Sequence, residues 1–93
     1  MFSQIPFDPK SFKKEDVIKE MLRVAIAAEF DAISLYEQLA AASDREDIKK
    51  VFQDIAREEK THVGEFQAML LREDEEQVTE LENGKKEVDE LLS

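Results

Sequence analysis

The chain has 93 residues, 13 Lys and Arg against 23 Asp and Glu for a net charge of -10, and no cysteine. A length of this kind holds one small domain whose core is marginal on its own, so help from a partner chain or a metal is expected. Disulfides and thiolate metal sites are excluded, nucleic-acid phosphates would be repelled, and cations are the natural small partners.

Two glycines, two prolines and 39% charged residues predict an all-α fold. The opening "MFSQIPFDPKSF" lacks the basic-then-apolar order of a secretory signal, and no apolar run reaches membrane length. No membrane partner is therefore expected, and the cytoplasm is the expected compartment. Residues 1–13, with Pro6 and Pro9, read as an extended lead-in that a helix cannot use.

The first helix is predicted over 14–42. Its apolar seam runs through Ile18, Leu22, Ala25, position 29, Ala32, Tyr36 and Leu39, spaced alternately four and three apart. Position 29 is Glu29. "SDRE", Ser43 to Glu46, has the form of a capping box, so a second helix is predicted over 44–72. Its seam runs through Ile48, Phe52, Ile55, positions 59 and 62, Phe66 and Met69, and positions 59 and 62 are Glu59 and His62, the chain's one histidine.

So short a connection makes the two helices an antiparallel hairpin. Glu29 lies fifteen residues before Asp44 and Glu59 fifteen after it, each about 22 Å from the turn at about 1.5 Å per residue. The two carboxylates should face each other at one level, joined by His62 one turn on. A carboxylate on a packed seam loses hydration that an apolar residue would not lose, and two of them with an imidazole in one layer point to a first-row metal such as iron, manganese or zinc. Glu58, one turn before His62, competes with Glu59 as the ligand, though Glu59 alone keeps the seam spacing.

One hairpin supplies one Glu and one Glu-x-x-His, whereas the dinuclear carboxylate site of a four-helix bundle uses two of each. A homodimer is therefore expected, with a two-fold axis through the layer. Two further stripes, Ile26, Phe30 and Ile33 on the first helix and Ala56, Val63 and Leu70 on the second, are expected to be covered by further assembly. Gly64 is read as room for a close helix contact. Over 74–93 the pattern predicts short C-terminal helices: one capped by Asp74 and stopped at Asn83-Gly84, then a last turn or two carrying Val88, Leu91 and Leu92.

"AIAAEFDAISLYEQLAAAS" followed by "VFQDIAREEKTHVGEF" resembles the ferritin-like superfamily in its rubrerythrin-type variant. With the tail "LLREDEEQVTELENGKKEV", the chain is most similar to encapsulated ferritins and the ferritin-like domains associated with encapsulin nanocompartments. The resemblance covers about residues 14–90. It implies a di-iron ferroxidase centre, two Fe ions per dimer interface, within a ferritin-like four-helix bundle, with dimers further assembled into an open ring-like homo-oligomer. Carried over, Glu29, Glu59 and His62 are the iron ligands and Tyr36 matches a tyrosine near the irons. Some of these ferritins carry an acid just before the ligand Glu as an outer uptake site. Here that place is Ala28, and Asp31 is the nearest acid of the same kind; apart from the resemblance, Glu58 and Glu65 are read as accessory acids that could feed metal toward the centre, against the plainer reading of a solvated acidic face. No storage cavity fits a hairpin this short, and the resemblance supplies an encapsulin shell as partner and its nanocompartment as the location. Two other readings remain: a rubrerythrin-like di-iron peroxidase, disfavoured because the four cysteines of that family's electron-transfer module are missing, and a non-catalytic, metal-stapled helical assembly module.

Overall fold

The computed structural model describes residues 7–93. Of the lead-in, residues 1–6 with Pro6 lie outside the described residues. The remainder is not simply extended. Pro9–Ser11 make one turn of 3-10 helix, because Pro9 supplies a fixed φ at the first position and the Asp8 carboxylate accepts from the Lys10 amide at 3.0 Å and the Ser11 hydroxyl at 3.3 Å. Phe7 and Phe12 stack across this turn with ring centroids 6.5 Å apart.

Three α-helices follow, α1 (Lys14–Ala42), α2 (Glu46–Glu73) and α3 (Glu75–Leu92), and no strand occurs among the described residues. α1 and α2 form the antiparallel hairpin, and α3 touches α2 near their junction. The predicted capping box does not form. Ser43 is the residue that ends α1, with its amide donating to the Ala40 carbonyl at 3.3 Å, and its hydroxyl is spent on the backbone N–H and C=O of Arg45, both at 3.2 Å. α2 therefore starts two residues later than Ser43 would place it, with Arg45 in the cap position. The orphan amide of Ile48 is taken by Asp47 at 2.9 Å, and the Arg45 guanidinium 2.8 Å away, followed by that amide, holds the Asp47 carboxyl below its ordinary range.

Asp74 ends α2 and starts α3. Its extended backbone (φ -139°, ψ 90°) breaks the helix, its carboxylate accepts from the Gln77 amide at 3.0 Å, and the Arg23 guanidinium reaches it from α1 at 3.1 Å. It is the one buried polar residue among those described, 8% exposed. The Gln77 amide, then the Lys19 and Arg23 charges, keep its carboxyl below the ordinary value despite burial. The predicted stop at Asn83-Gly84 is wrong: α3 runs through both to Leu92. A glycine ends a helix by adopting positive φ, and neither glycine does so here. Gly84 instead sits among good helix formers, and Asn83 spends its amide on Glu80 at 3.3 Å. Gly64 likewise faces open space, so it permits no close contact within the chain.

The packing of the hairpin reverses the expected use of the two stripes. Ile33, Ala40, Ala56 and Leu70 are the buried apolar residues, with Ile26 and Val63 half-buried beside them. The stripe assigned to further assembly is thus the contact between α1 and α2, except for Phe30, which is 55% exposed. The seam that carries Glu29, Glu59 and His62 lies about 60° round each helix from Ile26 and Ala56. Part of it stays open: Ile18, Leu39 and Met69 on it, and Met21 and Val51 beside it, are exposed. With α3 projecting from one end, the radius of gyration is 16.6 Å, against about 12 Å for a compact chain of this length.

Candidate metal centre

Each member of the predicted layer sits near the middle of a long helix, where the backbone is held by hydrogen bonds on both sides and the side chain is aimed by the helix itself. Fifteen residues on either side of the connection bring Glu29 and Glu59 level across the hairpin, and His62 follows Glu59 by just under one turn. The structure brings all three together: one donor atom from each lies within 4.8 Å of the others. The His62 Nδ1 faces both carboxylates, 3.4 Å from Glu59 Oε2 and 3.5 Å from Glu29 Oε2.

Electrostatics make this arrangement uncomfortable for the chain alone. Glu29 Oε2 is fully buried and has no hydrogen-bond partner, since the 3.5 Å approach of His62 is too long to count as one. One Nδ1 can donate to a single oxygen, so it cannot satisfy two carboxylates. An orphaned buried acceptor costs about 1–3 kcal/mol. A cation removes that cost.

Donor chemistry and spacing both fit one. Carboxylate oxygens and an imidazole nitrogen without sulfur suit borderline first-row metals. Donors held about 2.0–2.2 Å from one ion stand about 2.8–4.4 Å from each other, which brackets the 3.4 and 3.5 Å separations. The His62 side chain is 46% exposed while those of Glu29 and Glu59 are 19% and 20% exposed. The trio is therefore closed on the hairpin side and open on the other.

The remaining candidates are not part of the trio. Tyr36 stacks on Phe52 with centroids 6.0 Å apart. Both lie seven residues from the layer on the connection side, about 10 Å along the helices. A cleft of about 380 Å³ opens beside the layer, lined by Glu29, His62, Glu65 and Phe66. Of the three accessory acids, Glu65 lines it while Asp31 and Glu58 do not. The Arg23–Asp74 tie spans 51 residues and carries no local signal, so periodicity missed it.

The family profile described as Rubrerythrin matches residues 20–91. The chain is 57% identical over 82 residues to a ferritin-like–encapsulin shell fusion protein of Pyrococcus furiosus, covering 88% of this chain and 24% of that protein. It is 41% identical over 56 residues to the encapsulin nanocompartment cargo protein EncC of Myxococcus xanthus, covering 60% of this chain and 43% of that one. The chain thus spans about a quarter and under half of these two relatives. Among solved structures, the encapsulated ferritin domain from Pyrococcus furiosus is similar at TM-score 0.79 and 49% identity, covering 98% of this chain and 87% of that chain.

Proposed function

The chain belongs to the rubrerythrin family of ferritin-like proteins, and from that premise we propose that it is a ferroxidase that oxidises Fe(II) to Fe(III) at a centre completed by a second copy of itself. The observation that carries this reading is the buried, unpartnered Glu29 Oε2 beside Glu59 and His62 Nδ1, on a seam whose apolar residues are left partly open.

Two hairpins related by a two-fold axis through the layer would bring four carboxylates and two imidazoles together. Their charge of about −4 balances two Fe(II) ions. Iron is the substrate here. Two Fe(II) ions give up one electron each. With dioxygen and two protons the products are two Fe(III) and hydrogen peroxide; with hydrogen peroxide and two protons they are two Fe(III) and two waters. Each electron lost adds positive charge that Glu29 and Glu59 stabilise, so the carboxylates favour the product over the substrate. The neutral His62 imidazole holds its ion without adding charge.

Encapsulin association of the two named relatives supports the remaining part of the proposal. A hairpin pair encloses no storage volume, so the ferric product would be laid down inside an encapsulin nanocompartment with which this chain associates, the pairs being further assembled into a ring. In a test, Fe(II) added anaerobically and then exposed to air should give a ferric absorption rise that Glu59→Ala and His62→Ala each slow by at least about 100-fold. Equal rates in the parent and in both variants would refute the assignment. Peroxide consumption with a reductant and no accumulating ferric iron would favour the peroxidase reading instead.

A further inference from the structure

The cleft beside the layer holds one residue that the ligand set does not use. We infer that Glu65 is the capture carboxylate of this centre: it takes a divalent cation from solvent and passes it along the cleft to His62 and Glu29. The inference rests on the metal-binding part of the proposed function and goes beyond it by naming the route.

Glu65 lines the same cleft of about 380 Å³ as Glu29 and His62. It follows His62 by three residues on α2, which puts it about 60° further round the helix, away from the carboxylate pair and toward solvent. Its side chain is exposed and makes no ion pair or hydrogen bond among the described residues. On α2, Lys60 is held by Glu37 and Arg57 by Asp54, each at 3.0 Å, and Arg72, two turns beyond Glu65, forms no ion pair with it. A negative charge that no ion pair among the described residues neutralises therefore stands at the mouth. Phe66 forms an apolar wall on the same cleft, and such a wall focuses the field of the charge beside it instead of screening it. The buried oxygen of Glu29 on the inner side, which has no hydrogen-bond partner, independently marks where the cation ends up. Asp31 and Glu58 do not line this cleft, so neither takes the role.

The test uses the full chain and Co(II) under anaerobic conditions, so that binding is read without any oxidation. Glu65→Gln should slow stopped-flow Co(II) association by roughly 3–10-fold at low salt, the expected effect of removing one unit charge several ångström from the path of a dication. The number of Co(II) ions bound at saturation should not change. Glu65→Asp should restore most of the rate, and Glu82→Gln on α3, a change of equal charge far from the cleft, should leave it alone. In aerobic assays the half-saturating Fe(II) concentration should rise by a similar factor while the maximal rate stays put.

Association at the parent rate in Glu65→Gln overturns the inference, as does an equal slowing in Glu82→Gln. A lower Co(II) stoichiometry in Glu65→Gln also overturns it, because Glu65 would then be a ligand of the bound ion. If the parent binds Co(II) with the expected Glu65 dependence yet oxidises no iron, the ferroxidase proposal fails and the capture role stands.

Discussion

Replacing Glu29 by leucine separates a metal ligand from a structural carboxylate. In the metal-free chain Glu29 is four-fifths buried and its Oε2 has no hydrogen-bond partner. Leucine removes an orphaned acceptor that costs about 1–3 kcal/mol. A side chain buried to that extent adds about 1–2 kcal/mol of apolar transfer. Against this stands only the 3.5 Å contact with His62. The sum favours leucine by about 2 kcal/mol or more, which corresponds to roughly 8–16 °C in Tm for a chain of this size. Thermal unfolding followed by circular dichroism should therefore give Glu29→Leu a higher Tm than the parent in EDTA. With Co(II) or Fe(II) present, the order should narrow or invert, since only the parent gains from binding. A lower Tm for Glu29→Leu in EDTA would refute the reasoning, because the carboxylate would then have a stabilising partner within the protein.

Three further changes test other parts of the structure. Val51 is 58% exposed on the open side of α2, so Val51→Lys should leave the hairpin folded yet shift sedimentation from paired to single chains, and metal affinity should fall with it; pairing that survives would contradict the assignment of that face. Gly84→Ala adds a Cβ into open space within a helix and should raise stability by about 0.5–1 kcal/mol, readable as slower amide exchange in α3; faster exchange would mean the glycine is needed as a break. The Asp74 carboxyl is held below its ordinary 3.8 by the Gln77 amide and then by Lys19 and Arg23. Its stabilising contribution is therefore full above that value and is lost as pH falls through 3.8 toward the lower folded value. As pH falls from neutral through 3.8, Asp74→Asn, which keeps a capping oxygen but cannot ionise, should lose less Tm than the parent; identical slopes would remove Asp74 from the acid response.

Much of this arrangement is legible in the residues before any coordinates. The four-and-three spacing marks α1 and α2, and counting outward from Asp44 brings Glu29 level with Glu59 and His62 because an antiparallel hairpin with a tight connection has one possible register. What periodicity could not decide is which of two adjoining stripes meets the other helix. Ile26 and Ile33 differ from Glu29 by about 60° or less around α1, and either choice buries apolar surface. Small Ala40 and Ala56 take the intrachain contact, leaving the polar-centred seam half open. Local chemistry misled in two places. Ser43 followed three residues later by Glu46 reads as a cap, but the hydroxyl is used two residues on. Asn83-Gly84 reads as a stop, but a glycine at negative φ costs a helix only about 1 kcal/mol relative to alanine. The Arg23–Asp74 tie depends on where α3 leaves α2, which no local pattern states.

Anaerobic native mass spectrometry across a Fe(II) titration reads association and metal count in one spectrum. Even-numbered assemblies that hold two ions per pair of chains, and that fall to single chains without iron in His62→Ala, are the expected result. Single chains that each bind one ion, or paired chains that bind none, would contradict a centre shared between two copies.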